Sequence, residues 1–558
     1  MSIFLNSILI FSQIFILAIF ISLSGYVLRK LVINFAHLPK FEEDGLYGFV
    51  LIGFISLLLN FFIPLNIFFN SIFFIIIILI GIYFGFFRQN KVLVFKNGLL
   101  ISVISFLMLI YSTVNRPDAW LYHLPYSSIL NEHKIIIGVA NIHERFAHIS
   151  IFQYISSFFN NYLFLTNGIL IPISLVASFF FIYAFKDFNK NFLSKSKAIY
   201  SYLTFLILIV SLYAFNRYSE YGNDAQSHIF YFFFIIILFK YFLLEKNIIT
   251  LKELSILSLF VFLIKPTFIL IILLPIFLYF YFEGKFNIFK SFSFLFCCIF
   301  FIMWISKNFL ATGCLIYPLL STCYEKISWK TTNLSENLLV NESWSKGWPD
   351  QKEQKILNKS EYVKKFNWVE TWSNNHLLFV LKKILPVILF FVINFLILYF
   401  TKNLKRNTYN KDFLYLLLFS LFFIFLWFIK FPVYRLGISQ IYVFLILIFY
   451  FLFIKNINLI QPLMCLKYMN KFIIFVVLIL LIKNSLRIIH NSNNQLMPNI
   501  YYGSNDNRIE KVYNKKNIFT HFKTMDNDLC GYSKSPCTHL EKNFLIKKKL
   551  GYKIFIIN

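Results

Sequence analysis

Residues 68–87 read FFNSIFFIIIILIGIYFGFF and contain no charged side chain. A helix of about 20 residues is roughly 30 Å long, which matches the hydrocarbon core of a bilayer. An apolar run of this length predicts a transmembrane helix, because backbone polar groups inside lipid need the internal hydrogen bonds of a helix. The same pattern recurs on both sides of this stretch, so we expect a chain that crosses a membrane many times.

Further runs with few or no charges raise the expected number of transmembrane helices to about 13–14. The predicted fold class is therefore an all-α polytopic membrane protein. The runs 251–264 and 266–282 flank Lys265 and Pro266, so they could form two spans, one kinked span or a re-entrant hairpin. The other runs are 3–26, 46–63, 98–114, 163–185, 198–216, 228–244, 290–310, 383–401, 412–430, 436–454 and 472–490.

The composition supports this class, since 59% of the 558 residues are apolar and 75 of them are Phe. The formal net charge of +28 also suggests a nucleic-acid partner. However, the basic residues are spread over many short loops and form no stripe interleaved with stacking aromatics. We therefore expect membrane lipids as the surroundings and no nucleic acid.

The charges of alternate loops predict the orientation of the chain. One set of loops carries 21 Lys and Arg residues, whereas the other set of short loops carries six. Because cytoplasmic loops are enriched in Lys and Arg, the first set is expected inside. The loop 115–150, the segment 311–376 and both termini then lie on the outer side of the membrane.

The runs and loops divide the chain into four segments. Residues 1–310 form an N-terminal membrane domain that carries the outer loop 115–150. Residues 311–376 contain five of the eight Trp residues and are too long for a simple connection, so we expect a helical outer segment. Residues 377–490 add the C-terminal membrane helices. The tail 491–558 alternates polar and apolar residues in places, which predicts a small outer unit that contains strands.

Four cysteines lie on the predicted outer side in two closely spaced pairs. The pairs are Cys314 with Cys323 and Cys530 with Cys537. An oxidising compartment favours disulfides within such pairs, although four free thiols are the alternative.

The outer loop 115–150 is dense in groups that carry out chemistry. Asp118 follows a proline at a predicted membrane surface, where a carboxylate could act as a general base or bind a divalent metal ion. The alternative is a helix N-cap, a position that Asp favours. His123, Glu144 and Arg145 lie in the same loop, and Arg is suited to binding a phosphate.

Three charged residues elsewhere are expected on the same side of the membrane. Asp224 ends a second outer loop, Lys265 lies between two half-length runs and Arg435 follows a Phe-Pro pair. A charge near the hydrocarbon edge is costly, so a phosphate or mutual pairing would explain the two basic residues. The alternatives are a solvated loop for Asp224 and an interfacial anchor for Arg435.

Five short motifs are spread over most of the chain: DAWLYHLP at 118–125, NIHER at 141–145, KPT at 265–267, FPVYR at 431–435 and DLCGYSKSPCT at 528–538. With these motifs the chain resembles the GT-C superfamily of membrane glycosyltransferases, and more closely a family of bacterial GT-C-like membrane proteins. The resemblance implies a multi-pass protein of the bacterial inner membrane with its site on the outer face. It also implies that Asp118 is the catalytic acid–base residue or a metal ligand.

These observations predict a glycosyltransferase that uses a polyprenyl-phosphate-linked sugar donor. The acceptor would be a glycan, a lipid or a protein on the outer face. Asp118 and His123 are the candidate catalytic residues, and Asp118 is a possible ligand of a divalent metal. The candidate substrate-binding residues are Glu144, Arg145, Asp224, Lys265 and Arg435. A polysaccharide polymerase or ligase and a non-enzymatic transporter of lipid-linked glycans are the alternative functions.

Overall fold

The computed structural model is almost entirely helical in the membrane region and adds two small sheets in the tail. It describes residues 2–33, 40–88, 91–112, 117–192, 194, 197–213, 220–283, 291–351, 357–400, 412–452, 462–501, 509–513, 519–525, 529–540 and 543–557. Two of the six basic residues expected on the outer side, Arg116 and Arg217, lie outside the described residues. Asp528 of the DLCGYSKSPCT motif lies outside them as well.

Every apolar run of the sequence coincides with helical structure. The α-helices are α1 Ser2–Leu28, α2 Phe41–Phe62, α3 Ile67–Tyr83, α4 Lys91–Leu109, α5 Leu124–Glu132, α6 Val139–Ile142, α7 Ile151–Phe158, α8 Asn167–Phe192, α9 Ala198–Tyr213, α10 Asp224–Leu243, α11 Ile248–Ile264, α12 Leu273–Leu278, α13 Phe292–Thr312, α14 Leu334–Ser345, α15 Lys359–Val363, α16 Val369–Trp372, α17 Leu378–Phe400, α18 Asp412–Lys430, α19 Tyr434–Leu452 and α20 Pro462–His490.

Ten helical segments in the described part of the chain are long and apolar enough to cross a membrane. The remaining apolar runs give shorter helices, α3, α9, α11 and the segment Pro266–Tyr281. Of the 13–14 spans expected from the sequence, the described residues thus contain ten helices long and apolar enough to cross a membrane. The break at Lys265 is real: its backbone is extended, and Pro266 then begins a 3-10 helix. Proline cannot donate the hydrogen bond that would continue α11.

The bundle has a buried centre and an apolar exterior. In an apolar stretch of 18 residues, 94% of α8 is buried inside the protein, whereas only 11% of α20 is buried. Because most of the exposed side chains of α20 are apolar, its surface suits lipid tails rather than water. At the centre, α1 and α2 pack with their backbones almost in contact. A Cβ atom on Gly25 would lie 1.7 Å from the Asp44 carbonyl oxygen, so only glycine fits there.

The predicted outer segments pack around the loop that holds Asp118. A π-helical turn, Ala119–His123, leads directly into α5. The tail contains the strands β1 Ile509–Tyr513, β2 Phe519–Thr524, β3 Cys537–Thr538, β4 Phe544–Lys549 and β5 Tyr552–Ile557, in a three-stranded sheet β1-β2-β3 and a hairpin β4-β5. Ile554 in this hairpin forms a β-bridge with Ile137 of the loop, so the tail is joined to the loop by backbone hydrogen bonds.

Candidate functional site

Four charged residues from distant parts of the sequence meet at one end of the helical bundle. Arg435 Nη1 lies 3.3 Å from Asp118 Oδ2, and Arg435 Nε lies 3.8 Å from Asp224 Oδ2. Lys265 Nζ lies 2.5 Å from Asp224 Oδ1. Two carboxylates and two cations therefore form one connected network in which the charges balance.

Each of the four residues lies at the end of a helix. Asp224 is the first residue of α10, Lys265 follows the last residue of α11, and Arg435 is the second residue of α19. Asp118 immediately precedes the turn Ala119–His123. The positive end of the α10 dipole favours the carboxylate of Asp224 at that position. Helix ends at one level of the bundle thus bring four polar groups together without burying them in its apolar centre.

Asp118 does not act as a helix cap. Its backbone is already helical and its side chain makes no capping hydrogen bond. Its carboxylate is instead bound by Arg435, which lies 317 residues away in the sequence. The capping alternative is therefore wrong in this structure, and the carboxylate belongs to the charged network.

Aromatic residues hold the turn that presents Arg435, a contact that the sequence analysis did not predict. Trp372 Nε1 donates to the carbonyl oxygen of Pro432 at 2.8 Å, and Trp427 Nε1 donates to that of Val433 at 3.0 Å. His228, on the neighbouring helix α10, contacts the Arg435 carbonyl oxygen through Nε2 at 2.8 Å. These three contacts hold the backbone of residues 432–435 and so position the Arg435 side chain.

His123 and Tyr122 border the network from the other side. His123 is 3% exposed, and the centroid of its imidazole ring lies 4.1 Å from the centroid of the Tyr122 ring. Burial lowers the pKa of His123 to about 4 despite the nearby carboxylates. Burial also raises the pKa of the Tyr122 phenol above its usual value, and Asp118 and Asp224 add to that rise. Both side chains are therefore neutral near pH 7.

Glu144 and Arg145 lie at the margin of the site. Their closest charged atoms are 4.0 Å apart, and more than a third of each side chain is exposed. The positive charge of Arg145 acts on Tyr122 and opposes the rise in its phenol pKa. Arg145 thus approaches the site from the loop, whereas Arg435 and Lys265 make the direct contacts with the carboxylates.

A disulfide-closed part of the tail covers the helix that follows Asp118. Cys530 is bonded to Cys537, and the Gly531 backbone N–H donates to the Trp120 carbonyl oxygen at 2.9 Å. The Tyr532 hydroxyl donates to Asn131 Oδ1 at 2.9 Å. The tail is therefore part of the wall around the site. Cys314 and Cys323 are also bonded, within the segment 311–376.

The described residues contain no group of three or more His, Cys, Asp or Glu side chains that could hold a metal ion. A guanidinium and an ammonium group already bind the two carboxylates of the network. A metal ion would have to approach two positive charges. A metal ligand role for Asp118 stays a prediction from the sequence.

The fold and the site define a polytopic α-helical membrane protein with a charged site at one end of its bundle. The chain belongs to the family described as a domain of unknown function, DUF8201, whose model matches residues 7–442. The match includes Asp118, Asp224, Lys265 and Arg435. A search of curated proteins and a search of solved structures each returned no match.

Proposed function

We propose that the protein is a membrane glycosyltransferase that takes a sugar from a polyprenyl-phosphate-linked donor on the outer face of the bacterial inner membrane. The observation that carries this proposal is a charged network at the ends of helices that line a small apolar cleft further along their length. A ligand with an anionic head and a long apolar tail matches both parts. The acceptor would be a glycan, a lipid or a protein that offers a hydroxyl or amide group.

The cleft lies further along the same helices. It is lined by α10, the segment after Lys265, α18 and α19, with Tyr231, Ile271 and Leu447 among its residues. Tyr231 lies seven residues after Asp224, about 10 Å along the helix axis. The cleft has a volume of about 10 Å³, which is room for about one water molecule, so an apolar chain would enter only after the lining side chains rotate. Such a chain would keep its phosphate at the level of Arg435 and Lys265.

The ion pairs suggest how binding and chemistry are linked. A donor phosphate competes with the carboxylates for Arg435 and Lys265, because charge-assisted hydrogen bonds to a phosphate are strong. Arg435 then turns to the phosphate and leaves Asp118 without its partner. The freed carboxylate becomes a better acceptor for a proton. Donor binding would in this way switch Asp118 from an ion pair to a general base.

The transfer step uses the same four residues. Asp118 takes the proton of the acceptor hydroxyl while the hydroxyl oxygen forms a bond to the anomeric carbon of the sugar. The bond from that carbon to the phosphate oxygen breaks, and the phosphate keeps the electron pair. Arg435 and Lys265 stabilise the charge that develops on the leaving phosphate. Asp224 holds Lys265 and Arg435 in place through its two oxygens.

The deciding experiment is sugar transfer in proteoliposomes that contain the purified protein and a polyprenyl-phosphate sugar donor. Transfer to an added acceptor, lost in Asp118→Asn, is the expected result. The paired control is Glu361→Gln, which removes an exposed carboxylate of the segment 311–376. If a panel of polyprenyl-phosphate sugars yields no transfer and no binding to the wild-type protein, the proposal is wrong.

A further inference from the structure

A chain of two hydrogen bonds fixes the orientation of the Gln153 amide. The Ser150 backbone N–H donates to Gln153 Oε1 at 3.0 Å, as part of the capping box at the start of α7. A backbone N–H can only donate, so the amide oxygen must point at Ser150. The amide nitrogen of Gln153 therefore faces His123, and its Nε2 lies 3.1 Å from His123 Nδ1.

This orientation decides which nitrogen of His123 carries the proton. The Gln153 amide nitrogen is a donor, so Nδ1 must accept. A neutral imidazole has one donor and one acceptor, and its proton therefore lies on Nε2. Burial lowers the pKa of His123 to about 4, so the ring stays neutral near pH 7. The lone pair of Nδ1 is already used, and His123 is not available as a general base.

The Nε2 side of His123 faces a gap at Gly222. A Cβ atom built on Gly222 would lie 3.7 Å from His123 Nε2 and 3.9 Å from Cδ2, and it would meet no other described atom within 4 Å apart from those of its two chain neighbours. Gly222 is two residues before Asp224, so the gap borders the charged network. The charges that act on the ring are those of Asp118, Asp224, Arg435 and Lys265. Tyr122, Tyr221 and His148 are the other titratable groups near it.

We propose that His123 presents its Nε2–H to a hydroxyl oxygen of the ligand that occupies the gap at Gly222. This inference rests on the proposed function and assigns the uncharged part of the ligand to a place beside its phosphate. Arg435 and Lys265 provide the positive charge that a phosphate needs. A neutral donor that is fixed by Gln153 suits a sugar or acceptor hydroxyl, because it adds direction without adding charge.

The first experiment tests the protonation state and needs no ligand. Wild-type protein is compared with His123→Phe and Gln153→Glu by thermal unfolding in detergent between pH 4 and 8. His123 binds its proton more readily in the unfolded state, so folding stability falls as the pH drops from 6.5 towards 4. At pH 5 the folded-to-unfolded ratio of wild type should fall about 30-fold relative to His123→Phe.

Gln153→Glu keeps the acceptor for the Ser150 N–H but replaces the amide donor with a carboxylate. The carboxylate accepts a hydrogen bond from Nδ1–H of the protonated ring and so stabilises the imidazolium. The loss of folding stability between pH 6.5 and 4 should therefore be smaller than in wild type. If the stability of wild type and of His123→Phe depended on pH in the same way, the inference would be overturned. His123 would then have the same pKa in the folded and the unfolded chain.

The second experiment tests the ligand contact by steady-state sugar transfer. Gly222→Ala places a methyl group in front of Nε2, and His123→Phe removes the donor but keeps the ring. Both should raise KM for the hydroxyl-bearing substrate at least tenfold, while His123→Gln, which retains an N–H donor, should recover part of the loss. Unchanged KM values in Gly222→Ala and His123→Phe would overturn the contact. Absence of transfer by wild type would refute the proposed function, and the pH experiment would still decide the protonation state.

Discussion

Arg435 links the carboxylates of Asp118 and Asp224, through Nη1 to the first at 3.3 Å and through Nε to the second at 3.8 Å. A guanidinium presents several donors in one plane, so it can hold two carboxylates at once. Asp118 and Arg435 both keep more than a third of their side chains exposed. A surface ion pair of this kind contributes little to stability. Under the proposed function, the pairing keeps both groups in place until a ligand separates them.

Replacing Asp118 by Asn should lower transfer by about 10²- to 10⁴-fold, the usual contribution of general acid–base catalysis. The amide keeps the shape of the carboxylate but cannot take the acceptor proton. Donor affinity should change much less, because the basic residues hold the phosphate. Rates and donor binding are measured in parallel in proteoliposomes. Transfer at the wild-type rate would remove Asp118 from the chemistry.

Replacing Arg435 by Ala should weaken donor binding more than it lowers the transfer rate, the opposite of the effect of Asp118→Asn. The substitution removes the group that we propose contacts the phosphate and leaves Asp118 without its partner. Arg435→Lys should restore only part of the affinity, because one ammonium group cannot reproduce both contacts. Lys430→Ala is the matched control, since it removes an exposed positive charge five residues earlier. Equal donor affinity in Arg435→Ala and Lys430→Ala would contradict the assignment.

The sequence predicted the helices well because their signal is local. A run of about 20 apolar residues specifies a span whatever its neighbours are. The stretch 251–282 was harder to judge, because Lys265 and Pro266 divide it into two half-length runs. In the described residues, the helices α3 and α9 are shorter than the runs 68–87 and 198–216 predicted. The break at Lys265 could be predicted, since Pro266 cannot continue a helix.

The charged site was predictable only as a set of residues on one side of the membrane. Asp118, Asp224, Lys265 and Arg435 could be placed together by topology, but their pairing depends on how α10, α11 and α19 pack. Nothing in the sequence marks Gln153 as the partner of His123, or Trp372 as a support of the Arg435 turn. Such contacts join positions that are far apart in the chain, so the local pattern of apolar and polar residues does not predict them.

Removing the Cys530–Cys537 disulfide should loosen the helix after Asp118. The bond closes a loop of seven residues in sequence separation, and loss of such a constraint costs about 2–3 kcal/mol. Cys530→Ser with Cys537→Ser should increase hydrogen exchange in α5, because the loop hydrogen-bonds to Trp120 and Asn131. The other disulfide is the control. Removing Cys314–Cys323 should leave α5 unchanged, and equal exchange in all three proteins would contradict the coupling.

The predicted orientation can be tested with single cysteines at two exposed positions. Trp344 lies in the segment 311–376 and Lys190 near the end of α8. Cys297, Cys298 and Cys465 are first replaced by Ala, while both disulfides are kept. A membrane-impermeant thiol reagent added to intact cells should label Trp344→Cys and not Lys190→Cys. The reverse pattern would place the charged site on the cytoplasmic side and refute the proposed outer-face chemistry.

A second charged cluster, at the opposite end of the bundle, should contribute to stability rather than to transfer. Arg29 is 2% exposed, and its guanidinium lies 2.8 Å from Asp44, 3.3 Å from Glu43 and 3.4 Å from Glu253. It thereby ties the end of α1 to α2 and α11. Arg29 is one of the 21 basic residues of the predicted inner loops. Its burial could not be predicted, because a buried basic residue at a helix end looks the same in the sequence as an exposed one.

Replacing Arg29 by Leu should destabilise the protein by about 3–5 kcal/mol, the usual cost of leaving buried charges without their partner. Three carboxylates would remain in an apolar surrounding, with Lys40 still bound to Glu43 at 2.8 Å. Arg29→Lys should recover only part of the loss, since one ammonium group cannot reach three carboxylates. Lys30→Leu, at an exposed neighbouring position, is the control and should change stability by less than about 1 kcal/mol. Thermal unfolding in detergent measures the difference, and equal unfolding temperatures for Arg29→Leu and Lys30→Leu would show that the cluster does not hold the three helices together.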